Sequence, residues 1–198
     1  MPETIDVAPD LQLTTRPARQ PAVADPAEPP QGTGEPVNER TFRQTMSRFP
    51  TFVTVITAAG RTGPVGCTAT SVLSLSLRPP TLVVSLRSTG KTLDDVLTAG
   101  RFAVNVLSWH QRELAQHFAT GDPRHRFDHV PHTRWDGVPV LEDTSATVVC
   151  RLGYTMPVLD HTLLFGTVAF TRACQQEPPV VLLDGRSHAV DETGQVLP

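Results

Sequence analysis

The sequence predicts a mainly β fold, an antiparallel barrel carrying inserted helices. Short runs of alternating β-branched and apolar residues recur between residues 51 and 183. Only about three stretches show the i, i+3, i+4 spacing of an amphipathic helix. Gly-Pro, Pro-Pro and single Gly signals separate the β runs at short intervals. Many short strands with few helices favour an antiparallel barrel over a doubly wound parallel sheet.

The elements follow in order. Residues 1–37 hold eight of the 19 prolines and no aromatic residue. Such a segment cannot bury enough apolar surface to offset ordering entropy, so a disordered tail is expected. Asn38 is placed to cap a helix whose Phe42, Met46 and Phe49 share one face, and Pro50 ends it. Residues 51–58 alternate as a strand, and Gly60 and Gly63-Pro64 mark a turn. Residues 65–77 read as two short strands or one bent strand, with a corner at Pro79-Pro80. Residues 81–86 form a buried strand.

Leu93, Val96 and Leu97 then make a helical stripe closed by Gly100. Residues 102–107 are another strand. Ser108 and Gln111 stand at capping-box spacing before a helix with Leu114, Ala115 and Phe118 on its apolar face. Residues 121–137 are polar and rich in His and Arg, and their length suggests an ordered functional loop. Two long β patterns, 146–154 and 161–172, fit a hairpin turning through 156–160. Val180–Leu183 is a last short strand, and residues 191–198 are a C-terminal tail. The folded domain is therefore expected over 38–190.

The totals exclude several classes. The 198 residues suffice for one domain, and the net charge of −3 offers no basic footprint for nucleic acid. Six of the acidic residues and only two arginines lie in residues 1–38, so the remainder is close to neutral. Three cysteines without a CxxC pair argue for a reducing compartment. No run reaches the roughly 18 apolar residues of a spanning helix, and no signal-peptide core opens the chain. No membrane association and a cytoplasmic location are expected.

The stretch 66–92 is the chemical centre of the sequence. A strand ends in Arg87-Ser88-Thr89-Gly90-Lys91-Thr92 and runs into a helix. Free N–H groups at a helix start, hydroxyls and a lysine make an anion site. Gly90-Lys91-Thr92 resembles the end of a P-loop, but Ser85 stands where that motif requires Gly, and Asn105 where a magnesium-binding Asp is expected. No GxGxxG follows a strand, so a Rossmann turn is absent.

Upstream, Thr68-Ala69-Thr70-Ser71 is either plain sheet surface or the small polar lining along which a flavin ring finds N–H and hydroxyl partners. His125, His129 and His132 lack, apart from Asp128 and Asp136, the nearby carboxylate and thiolate arrangement of a zinc site, and no metal is expected. Arg126-Phe127 offers a phosphate partner and a stacking surface. His161 follows a turn and opens an apolar strand, which places it at a barrel mouth.

Taken together, FPTFVTVIT, VGCTATSVLSLSLRPPTLVVSL, STGKT, GRFAVNVL, LAQHFA, RF, WDGVPVLE and DHTLLFGTV, in this order over residues 41–188, resemble the short-chain flavin reductase family. These are the reductase components of two-component flavin monooxygenases. The resemblance implies an FMN-binding split β-barrel, a homodimer, FMN or FAD as cofactor, and NADH or NADPH as electron donor. A flavin-dependent monooxygenase component would receive the reduced flavin.

It implies that Thr68, Ala69, Thr70 and Ser71 follow the flavin ring. Ser85, Leu86, Ser88, Lys91 and Thr92 would hold the ribityl chain and phosphate, and Arg126 and Phe127 would lie near the cofactor. His161, the catalytic-site residue, would face the nicotinamide. Leu159 stands where the family has Gly, Cys67 where Met is common and Thr70 where Asn or Ser is common. Two other readings stay open on the residues alone: a split-barrel protein that retains its flavin without nicotinamide turnover, and a non-catalytic interaction module.

Overall fold

The longest ladder in the molecule is a hairpin that crosses the middle of its main sheet. A computed structural model describes residues 37–190 and 195–197; the tail expected over 1–37 lies outside them apart from Val37. Strands β9 (Ala146–Val158) and β10 (His161–Ala173) pair antiparallel over their full length around a two-residue turn, Leu159-Asp160. Leu159 takes φ 54° there. The turn is shorter than the five residues expected because the β pattern continues through Met156-Pro157-Val158.

Around this hairpin lie β2 (Thr54–Ala59), β3 (Pro64–Ala69), β4 (Val72–Leu77), β5 (Pro80–Arg87) and β6 (Arg101–Val106). The seven strands run in the order β3-β2-β6-β9-β10-β5-β4, all neighbours antiparallel. Among the described residues no pairing joins the two edges, β3 and β4, so the sheet is not closed by a ladder. The stretch 65–77 is two strands, interrupted at Thr70-Ser71. The corner before β5 contains a cis Arg78–Pro79 peptide.

The expected helices are present. In α1 (Glu39–Met46) the Thr41 N–H donates to the Asn38 side chain at 2.9 Å, as a cap should. Its apolar face, however, is not buried: Phe42 and Phe49 are more than half exposed. Helix α2 (Lys91–Ala99) ends at Gly100, whose φ of 65° suits glycine. Before α3 (Arg112–Thr120), Gln111 reaches back to the Ser108 N–H at 3.4 Å, and Phe118 is fully buried.

Two hairpins were not expected. In the polar stretch 121–137, β7 (His132–Trp135) turns through Asp136-Gly137 into β8 (Val138–Leu141). Beside β1 (Thr51–Phe52), β11 (Val180–Leu183) turns through Asp184-Gly185 into β12 (Arg186–Val190). Each turn has two positive φ angles, the geometry an Asp-Gly pair favours. Past the domain end expected at 190, β13 (Val196–Leu197) pairs with β12 and completes a four-stranded sheet.

The core explains the register. β2 is buried on both faces, Val55 on one and Ile56 on the other. Ile56, Val84, Val96, Phe102 and Leu164 join α2 to the main sheet. Val53, Leu107, Phe118, Leu141 and Val180 form a second cluster under α3. Buried Asn105 donates to the Val55 carbonyl (2.9 Å) and the Thr57 hydroxyl (3.1 Å), and accepts from Leu141 N–H (3.0 Å). Its side chain is a latch between strands, satisfied as a buried amide must be.

Candidate functional site

A cleft of about 600 Å³ opens between β3, the end of β5 and the start of α2. Its size is ordinary for a small-molecule site. It is lined by every residue from Val65 to Ser71. Neighbouring side chains on a strand point to opposite faces, so an unbroken lining means that the cleft runs along a strand edge. β3 is an edge of the sheet, and a strand edge offers N–H and C=O groups in the plane of a flat ligand.

The opposite wall comes from Ser85, Leu86 and Arg87, with Gly90, Lys91 and Thr92 at its corner. Gly90 places no side chain over the first turn of α2, so the positive end of the helix opens on the cleft beside the Lys91 amine. Thr92 is buried, and its side chain hydrogen-bonds Cys67. Burial pushes the Cys67 thiol up from its ordinary value, opposed by that bond and by the Arg126 charge. Cys67 therefore stands in the wall as a neutral thiol.

Arg126 closes the third side. Its Nη1 donates to the Gly66 carbonyl (2.8 Å) and its Nε to the Gly121 carbonyl (3.0 Å). The His117 ring bonds the Arg126 carbonyl at 2.8 Å, which fixes the loop to α3. At the rim, His161 Nδ1 lies 2.9 Å from Asp160 Oδ1. The His161 ring holds the Asp160 carboxyl below its usual range, through the hydrogen bond first and charge second. Engaged at Nδ1, the ring keeps Nε2 for another partner.

The cleft thus gathers Thr68, Ala69, Thr70, Ser71, Ser85, Leu86, Lys91, Thr92, Arg126 and His161 from four separate parts of the chain. Two expected site residues lie elsewhere. Ser88 bonds the Thr162 hydroxyl at 3.0 Å, and its N–H donates to the Asp160 carbonyl; it ties the β5 end to the β9–β10 turn. Phe127 packs edge-on between Phe118 (5.2 Å) and His132 (5.1 Å) in the second core cluster. The aromatic on the cleft is Phe118 instead.

Sequence reasoning also missed Arg87 and Asp95 in the lining. Gly66 carried a signal: a Cβ there would stand 3.1 Å from Phe118 Cε1 and 3.0 Å from the Ile56 carbonyl oxygen. Of the three histidines weighed as a metal site, His125 pairs with Asp128 (2.7 Å) and His132 with the Val130 carbonyl (2.8 Å).

Comparison with known proteins gives a consistent result. A relative from Rhizobium meliloti (strain 1021) named "Probable flavin reductase" is 36% identical over 141 residues, 69% of this chain but 44% of its own length. This chain therefore spans less than half of that relative. The NADH:FMN oxidoreductase of Rhodococcus qingshengii is 32% identical over 159 residues, covering 78% of this chain and 83% of the relative.

Among solved structures, flavin reductase PheA2 in its native state superposes with a TM-score of 0.72 at 30% identity, over 79% of this chain and all of that one. The Streptomyces globisporus C-1027 NADH:FAD oxidoreductase SgcE6, in complex with NAD and FAD fragments, gives 0.74 at 28% identity, over 82% and 100%. Residues 46–191, nearly the whole folded region and the whole of the cleft, match the flavin reductase like domain, and the chain belongs to that family.

Proposed function

We propose that this chain is an NAD(P)H-dependent flavin oxidoreductase that reduces FMN or FAD and hands the reduced flavin to a partner monooxygenase. The observation that carries the reading is the single cleft, which joins an open strand edge, an uncapped helix start with a lysine, and a histidine at the rim. These match, in order, the polar edge of a flavin ring, its phosphate and a nicotinamide. When bound, the flavin supplies the hydride acceptor, so no protein acid or base is needed for the transfer itself.

The residues provide binding and alignment. Thr68 to Ser71 hold the ring edge and supply donors where negative charge develops. Lys91, Thr92 and the α2 start hold the phosphate. His161 positions the nicotinamide over the ring, its Nδ1 fixed by Asp160. The domain is a split barrel in this reading, with the cleft along its open seam.

It is also a homodimer. Leu73, Val83, Phe165 and Tyr154 fall in one cross-strand row, and Leu73 and Tyr154 are each 61% exposed. The exposed Met156 and Val158, on the face of Tyr154 by the period of two, extend this apolar surface, which a second copy would cover. His161 and Ser85 share the face of Phe165 by the period of two, so that copy would reach the cleft mouth. The three free cysteines suit a reducing cytoplasm.

The test is oxidation of NADH and NADPH at 340 nm with FMN or FAD added in air. Fast oxidation that depends on added flavin is expected. Bound flavin with negligible oxidation of either nucleotide would replace this reading with a flavin-retaining protein.

A further inference from the structure

Beyond the helix start, the cleft reaches a carboxylate that the reading above leaves unused. Asp95 lines the cleft and is 9% exposed, and its Oδ2 is buried without a hydrogen-bond partner. A buried carboxylate oxygen with no donor is costly, and native proteins seldom keep one without a use.

Its place along the cleft follows from its neighbours. Thr68 and Ala69 lie at one end of the β3 lining. Cys67 comes next, against Thr92 at the start of α2. Gly66 follows, its carbonyl holding Arg126. Val65 is last: a Cβ built on Gly60 would stand 2.6 Å from Val65 Cγ1 and 3.4 Å from Asp95 Oδ1, so Asp95 sits at the Val65 end. Strand rise separates Val65 from Ala69 by roughly 13 Å. The order along the cleft is small hydroxyl segment, helix start, arginine, carboxylate.

On the flavin reading, on which this inference rests, the ring lies at the first station and the phosphate at the second. FMN ends there. FAD continues through a second phosphate to an adenosine, whose ribose hydroxyls and exocyclic amine are neutral donors. We propose that Arg126 meets the second phosphate and that Asp95 accepts hydrogen bonds from the adenosine half, so that the cleft selects FAD over FMN. A carboxylate receiving ribose hydroxyls is a recurrent solution in dinucleotide sites, and bonds to an ionised acceptor are the stronger kind.

The experiment titrates oxidised FAD and oxidised FMN into the full-length protein, followed by flavin fluorescence and without nicotinamide. FAD should bind more than about tenfold more tightly than FMN, since the Asp95 bond, worth about tenfold, adds to the contact of Arg126 with the second phosphate. Asp95→Ala should weaken FAD about tenfold, leaving only the preference owed to Arg126, and leave FMN unchanged; Asp95→Asn, which keeps one acceptor oxygen, should fall between. Equal affinities in the parent, or equal losses for both flavins, would overturn the proposal while the flavin reading stands. Failure of both flavins to bind would overturn both.

A raised KM for NADH in Asp95→Ala, with FAD affinity untouched, would assign the donor to the nicotinamide dinucleotide and also overturn it. Thermal melting keeps the variant interpretable. FAD should raise the melting temperature of the parent more than FMN does, and the difference should shrink in Asp95→Ala.

Discussion

Arg126 and Gly66 are 60 residues apart in the chain and joined by a 2.8 Å hydrogen bond, from the guanidinium to the carbonyl of the cleft's edge strand. A second bond, to Gly121, holds the same side chain to its own loop. Arg126→Ala removes both, leaves two carbonyls short of a donor and takes a positive charge from the cleft. It should lower stability by roughly 1–3 kcal/mol in a urea titration and weaken flavin binding. Arg126→Lys should restore the charge but not the fork, and so recover only part of either.

His161 is fixed at Nδ1 by Asp160, and its exposed position at the rim suits a contact with the nicotinamide. In steady-state assays His161→Ala should raise KM for NADH or NADPH by about tenfold, with flavin affinity little changed. An unchanged KM would remove the histidine from that role. Asp160→Asn should give a smaller effect in the same direction, because it loosens the ring without removing it.

Lys91 stands at the first position of a helix whose cap carries no side chain. Lys91→Ala should weaken FMN more than riboflavin, which has no phosphate, by about 1 kcal/mol of difference. Equal losses for the two ligands would place the lysine outside the phosphate site. The FMN affinity of the parent should also fall with salt more steeply than that of the variant.

Cys150 gives a pH dependence of stability. It is wholly buried beside Phe102 and Leu164, and burial pushes its thiol up to about 12, from 9.0 in an exposed chain. The folded state therefore keeps its proton where the unfolded chain releases it. This contribution is complete below pH 9 and is lost as pH rises toward 12. Urea midpoints at pH 8 and 10.5 should show a steeper alkaline loss for the parent than for Cys150→Val.

Much of this arrangement was legible in the sequence, and the misses have physical causes. Periodicity found the main-sheet strands and all three helices, because each carries its apolar residues at the spacing of its own element. It placed the face of Phe42, Met46 and Phe49 correctly on a helix but could not say that nothing in the described chain covers it. The hairpins at Asp136-Gly137 and Asp184-Gly185 were passed over although Asp-Gly is a strong turn signal. The polar residues around the first masked short strands with little alternation.

In the cleft, the residues grouped in sequence were found and those brought in by packing were not. Arg126 and Phe127 are neighbours, yet one turns to the cleft and the other to the core, a choice made by Phe118 and His132. Asp95 reads as an ordinary helix residue until β3 is laid beside it.

The strand order has a consequence for how the protein is made. β4 and β5 leave the ribosome early but pair with nothing else in the sheet except β10, whose first residue, His161, lies opposite Arg87. The β9–β10 hairpin closes locally and can form quickly once synthesised, whereas its ladders to β5 and β6 span long loops and are slower to find. The two walls of the cleft therefore belong to halves of the sheet that remain apart during most of translation. A nascent chain stopped before residue 161 would hold all of Arg87 to Thr92 and still lack the strand that joins the two halves, so a ligand of the cleft can favour folding only once the last fifth of the chain is being made.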